Sequence, residues 1–103
     1  MLATQNNITR YIPQRDPLIM VHNLLEADDK HAVTTLQVLP DNVFVDDNRF
    51  TEPGLLENIA QTAAAQIGHI FLSQNKEIPI GYIVAVKDYE VLMLPDVHTT
   101  IMT

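Results

Sequence analysis

The chain has 103 residues, 47% of them hydrophobic and 18% charged, which is the composition of one ordinary globular domain, taken here as 1–103. Six Lys/Arg stand against thirteen Asp/Glu, for a net charge of −7; the few basic residues are scattered, which excludes nucleic-acid binding through phosphate neutralisation. There is no cysteine, no apolar signal core at the N-terminus and no run of about 18 apolar residues, so no disulfide framework, thiolate metal site or spanning helix is expected, and a reducing cytoplasm fits.

Residues 1–16 are polar, and X-Pro breaks fall at Pro13 and Pro17. They read as a surface lead-in with a short helical turn. Leu18 to Ala27 (LIMVHNLLEA) is a nearly continuous apolar run that meets Asp28-Asp29-Lys30. His31 to Leu39 (HAVTTLQVL) follows, rich in β-branched residues and closed by Pro40. Two such runs about a short polar turn predict an antiparallel hairpin. A helix is the rival reading of 18–27, but its short length and the turn after it favour a strand. Val43 to Val45 is a small extended piece, and Asp46-Asp47-Asn48 a turn.

The clearest element comes next. Thr51 is placed to cap a helix whose first turn carries Glu52 and Pro53. Apolar residues at 55, 56, 59, 60, 63, 67, 70 and 71 give helical spacing over Leu55–Leu72, with a wide apolar face. Ala60, Ala63, Ala64 and Ala65 keep its middle thin, which suits a sheet curling around it. After a polar exit at Ser73–Glu77, 80–94 (IGYIVAVKDYEVLML) reads as a long β-rich stretch broken by Pro95-Asp96, and Val97–Thr103 as a further strand. The order predicts an α+β domain in which an antiparallel sheet packs on one long helix.

Within the apolar pattern of that helix runs a polar seam of Glu57, Gln61, Ala64 and Gly68, all on one side. A buried Glu57 would be desolvated and suited to general acid–base work near neutral pH. On the open side of the helix it would be an ordinary solvated glutamate.

PGLLENIAQTAAAQIG resembles the central-helix motif of the beta-hydroxyacyl-acyl carrier protein dehydratases, matching at Pro53, Gly54, Leu55, Glu57, Ala60 and Gln61. YIPQRDPLIMVHNLLEAD and IGYIVAVKDYEVLMLPDVHTT resemble flanking segments of the same family, so the likeness runs from about Tyr11 to the end. The nearer likeness is to the divergent branch associated with aryl-polyene-type pigment pathways. The resemblance implies a hotdog fold, an antiparallel sheet wrapped around one long central helix. Against the family pattern, which continues with another hairpin, this chain ends inside or just after its fourth main strand. It reads as a fragment or a shortened member.

The implied reaction is loss of water from a 3-hydroxyacyl thioester of acyl carrier protein or coenzyme A, with no cofactor and no metal, in a homodimer or higher oligomer. The resemblance places Glu57 on the catalytic acid, Gln61 on its supporting glutamine and Gly54 in the Pro-Gly segment, whose helix N-terminus can polarise a thioester carbonyl. Arg49 and Phe50 of the preceding loop are the further substrate-side candidates. Arg49 could instead hold a phosphopantetheine phosphate or an acidic carrier.

The family has a histidine in the loop before Pro-Gly. Here Asn48-Arg49 stands there, and the interval from Gly54 to Glu57 is shorter than usual. Arginine is no general base at neutral pH. His69 lies twelve residues beyond Glu57, roughly 18 Å along a helix axis, too far to share its site within one chain. His22, His31 and His98 are the remaining histidines, and a partner subunit could bring one in. Two further readings therefore stand beside the dehydratase: a non-catalytic acyl-carrier-binding partner subunit and a hotdog thioesterase.

Overall fold

The computed structural model describes residues 1–78 and 93–103. The β-rich stretch expected over 80–94 lies outside them, apart from Met93 and Leu94. A short 3-10 turn at Ile8–Arg10 sits in the lead-in, as expected. Strands β1 (Asn23–Ala27) and β2 (Ala32–Gln37) form the antiparallel hairpin. A two-stranded hairpin of β3 (Val45–Asp46) and β4 (Arg49–Phe50) precedes helix α1 (Glu52–Ser73). Strand β5 (Thr100–Met102) pairs antiparallel with β2, so the larger sheet runs β1-β2-β5. Helix α1 lies against β1 and β2, the hotdog arrangement of one long helix on an antiparallel sheet.

Local chemistry explains most of these elements. In the β1–β2 turn, the Asp28 carboxylate accepts from the backbone N–H groups of Lys30 and His31, each at 2.8 Å. In the β3–β4 turn, Asp47 and Asn48 take positive φ, 51° and 60°, which these short polar residues tolerate. In β2 the alternating Thr34 and Leu36, with Val38 just beyond the strand, point inward and are fully buried. A bulge at Leu25 shifts the β1–β2 register between Leu24 and Glu26.

Three expectations need correction. The regular strand begins at Asn23, not Leu18, because residues 18–20 are held by helix side chains rather than by a strand neighbour. Thr51 does occupy the N-cap, but its hydroxyl donates to the Phe44 carbonyl at 2.6 Å instead of capping the helix. The fully buried face of α1 is not its apolar one. It consists of Gly54, Asn58, Gln61, Thr62, Ala65 and Gly68, while the apolar residues read from periodicity are half-buried or exposed.

The core has two clusters. Ala3, Ile8, Ile12, Val21, Leu24 and Ala65 form one. Met20, Leu36, Val38 and Phe50 form the other, with Phe44, Leu55 and Ile101 against it. Small residues on α1 permit the close approach. A Cβ at Gly68 would run into the Tyr11 backbone carbonyl, and one at Gly54 would stand 2.7 Å from Phe44 and Phe50 side-chain carbons. Among the described residues, no helix is long and apolar enough to cross a membrane.

Gly68→Ala tests this contact. A helix-interior Gly→Ala ordinarily stabilises by about 1 kcal/mol. Here overpacking against rigid backbone, at about 1–3 kcal/mol, exceeds that gain. The variant should melt several degrees below wild type by circular dichroism, at roughly 4–8 °C per kcal/mol for a domain of this size. An unchanged or raised Tm would show that the approach is loose.

Candidate active site

Glu57 is half-buried on the second turn of α1, and Gln61 follows one turn later, fully buried. A carboxamide offers one acceptor oxygen and two N–H donors. Here Gln61 Oε1 accepts from the Met20 N–H at 2.6 Å. Its Nε2 donates to the Leu18 carbonyl at 2.8 Å and to Glu57 Oε1 at 2.8 Å. The partners fix the amide orientation, since a backbone N–H must meet an acceptor and a carbonyl must meet a donor. The nitrogen edge therefore faces Glu57. One carboxylate oxygen is tied by a charge-assisted bond and Oε2 remains for other chemistry.

A second carboxamide backs the first. Asn58 is buried, and its Nδ2 donates to the Met20 carbonyl at 2.7 Å. Its Oδ1 accepts from the Thr103 hydroxyl. The Thr62 hydroxyl donates to the Asn58 carbonyl at 2.8 Å, which uses its one proton. Thr34, 2.7 Å from Thr62 through its hydroxyl, is then the donor of that pair. Thr34 in turn exchanges backbone bonds with Thr103, 2.9 and 3.0 Å, so the network runs from α1 into β2 and the end of β5.

Of the residues read from sequence, the fold brings Glu57 and Gln61 into direct contact. Gly54 lies one turn before Glu57, buried beneath Phe44 and Phe50. Arg49 and Phe50 are consecutive in β4 and so face opposite ways. Phe50 is wholly in the core. Arg49 is exposed, and its Nε lies 3.4 Å from the Asp96 carboxylate. Sequence reasoning missed Asn58, Thr62 and Thr34. The signal was available: Asn58, Gln61 and Thr62 are polar at i, i+3 and i+4, one helical face.

The histidines are engaged elsewhere. His22 Nδ1 accepts from the Gln37 N–H at 3.2 Å. His31 lies between two carboxylates, with Nε2 3.1 Å from Glu26 and Nδ1 3.0 Å from Asp28. The His69 ring stacks on Tyr11, centroids 6.3 Å apart. His98 sits at positive φ, 68°, in the turn before β5. Among the described residues, no three His, Asp or Glu side chains are grouped to hold a metal ion.

The profile of a family described as ApeP-like, ApeP dehydratase, matches residues 6–94. Among solved structures, the dehydratase heterocomplex ApeI:P from Xenorhabdus doucetiae matches with a TM-score of 0.82 at 14% identity, covering 92% of this chain. The match spans 66% of that structure's chain, so this chain covers just under two thirds of it. No curated protein matches.

The His31 and His22 environments make opposite predictions about titration. The Glu26 hydrogen bond, with the Asp28 charge behind it, raises His31 above the ordinary 6.5. Burial lowers His22 below it, against a smaller raising effect of Asp16. Proton NMR titration should therefore show His31 titrating above 6.5 and His22 below. The stabilising contribution of His31 is complete below 6.5 and lost as pH rises through its folded value. That of His22 is present above 6.5 and lost as pH falls through its folded value. Both rings titrating together near 6.5 would refute the two environments.

Proposed function

The chain belongs to the ApeP-like dehydratase family, and from that premise we propose that it removes water from a 3-hydroxyacyl thioester, using Glu57 as the acid–base group. The substrate carrier is acyl carrier protein or coenzyme A, and the proposed setting is a cytoplasmic homodimer or higher oligomer. The observation that supports this best is the Glu57–Gln61 pair, a half-buried carboxylate with one oxygen held and one available.

The chemistry balances with one carboxylate. Oε2 of Glu57 takes a proton from C2 of the substrate, acidified by the thioester carbonyl. The electron pair left on C2 forms the C2–C3 double bond as the C3–O bond breaks. The same carboxyl returns the proton to the departing hydroxyl, which leaves as water. Gln61 keeps Oε1 in place throughout, so the proton shuttles on Oε2. Gly54 allows the first turn of α1 to pack beneath Phe44 and Phe50, which sets the helix N-terminus and its partial positive charge near the thioester carbonyl in this scheme.

A second reading is favoured by Arg49. Asn48 or Arg49 stands where the resemblance places the loop histidine, and Arg49 is engaged with Asp96. In that reading the chain binds the acyl carrier, and water loss needs a histidine from another subunit.

Turnover of a 3-hydroxyacyl-carrier substrate by wild type and Glu57→Gln decides between them. Loss of a general acid–base group should reduce turnover by about 10²–10⁴-fold. Equal turnover in the two proteins removes Glu57 from the reaction. Turnover that appears only on mixing with a histidine-bearing family member selects the second reading.

A further inference from the structure

The feature that the proposed chemistry does not use is Asn58. It is buried on the inner face of α1, adjacent to Glu57 in sequence, yet its amide bonds to Met20 and Thr103 instead. Its amide orientation is fixed by elimination. The Met20 carbonyl needs a donor, so Nδ2 faces it, and Oδ1 must face the Thr103 hydroxyl. Gln61 is fixed in the same way from the other group of the same residue, with Oε1 on the Met20 N–H. The two helix carboxamides thus grip one residue, Met20, by its N–H and its C=O. This is the exchange of bonds that a neighbouring strand would make.

The grip has a consequence for Glu57. The Met20 N–H requires an acceptor from Gln61 and the Leu18 carbonyl, two residues earlier on the same segment, requires a donor, so this segment sets which edge of the amide faces Glu57. If the segment carrying Leu18 and Met20 drifts, Gln61 loses the contacts that select its orientation. An amide turned over would set Oε1 against the carboxylate. From this we infer that Asn58 is a positioning residue: by holding Met20 from the carbonyl side, it fixes the Gln61 amide and, through it, the Glu57 carboxylate. The inference rests on the proposed role of Glu57 for its catalytic meaning. The clamp itself does not.

Removing the Asn58 amide leaves the Met20 carbonyl without its donor in a buried setting, which costs enough to move the segment. Its effect should be the same in kind as removing Gln61. The two changes made together should not add, because both act through one contact chain.

The test compares the full chain carrying Asn58→Ala, Gln61→Ala, both, or Gly68→Ala. Gly68→Ala perturbs the same helix face ten residues away without touching Met20 and controls for general destabilisation. The first readout is NMR: the Gln61 side-chain NH2 pair, assigned by its loss in Gln61→Ala, and the Glu57 side-chain carboxyl carbon. In Asn58→Ala the NH2 pair should lose its protection from exchange, and the Glu57 carbon should move to its position in Gln61→Ala. Both should keep their wild-type positions in Gly68→Ala. The second readout is kinetic: Asn58→Ala should lower kcat about tenfold with KM within about twofold, equal to a 1.4 kcal/mol rise in the barrier. The double variant should be no slower than Gln61→Ala alone.

Wild-type Gln61 and Glu57 signals in Asn58→Ala would overturn the clamp, whether or not the chain turns over alone. Loss of turnover in Glu57→Gln with wild-type kcat in Asn58→Ala would overturn the positioning role and leave Glu57 standing. Retained turnover in Glu57→Gln would instead remove the catalytic reading, while the NMR signature still decides the clamp.

Discussion

Met20 is held by both of its backbone groups, and the rest of the structure is arranged around that hold. Gln61 accepts its N–H and Asn58 donates to its carbonyl, so two side chains of α1 take the place of a strand neighbour. The extended run ahead of β1 is thereby attached to the helix rather than to the sheet. The attachment sits at the division of the core. The Met20 side chain packs with Leu36, Val38 and Phe50, while Val21, one residue on, packs with Leu24, Ile8 and Ile12. One residue of slip would exchange the two clusters' contents, which is the cost that pins the register.

Placing carboxamides on the inner face of a helix is tolerable only if each polar atom is paired. Gln61 uses both donors and its acceptor, and Asn58 is bonded at nitrogen and oxygen. Thr62 and Thr34 complete the chain of hydroxyls without an atom left over. By contrast, Gln14 Oε1 is a buried polar atom without a partner among the described residues. The remaining positions of that inner face are small. Gly68 admits the Tyr11 backbone, and Gly54, one turn before Asn58, admits the Phe44 and Phe50 side chains, which lets this end of the helix come near enough for its short amides to reach Met20.

This arrangement explains what the sequence disclosed and what it hid. Local signals were readable: the Asp28 turn, the Asp47–Asn48 turn, the β-branched run of β2 and the extent of α1 all follow from side chains acting on their own neighbourhood. The inner face of α1 was not, because hydrophobic periodicity assumes that apolar residues point to the core. Here Leu55, Leu56, Ile59 and Ile67 are half-buried or exposed, while Asn58 and Gln61 go inside. The amides win because their partners, the Leu18 and Met20 backbone groups, belong to an irregular segment that no strand satisfies. That need is set some forty residues earlier in the chain. Thr51 failed as a cap for a related reason, since the Phe44 carbonyl, brought alongside by the β3–β4 hairpin, took its hydroxyl. Glu57 and Gln61 themselves were legible as a pair one turn apart, and their contact follows from helix geometry.

The same geometry bears on how one carboxylate can serve in the proposed reaction. In a pair of catalytic groups, one can hold the proton while the other removes it, and neither needs a fixed face. A single carboxylate must take a proton from one carbon and return it to the oxygen on the next, so its working oxygen has to stay on one side of the substrate. The bond from Gln61 to Oε1 supplies that constraint by making the two oxygens inequivalent. The surrounding protein then has to keep Gln61 from turning over, for an inverted amide would face Glu57 with an acceptor and remove the distinction. Leu18 and Met20 ask opposite things of the amide, donor at one and acceptor at the other, so inversion would break both bonds at once. With Asn48-Arg49 in the loop, the proposed reaction places its demand on the helix face. That face carries two buried amides where packing alone would have asked for leucine.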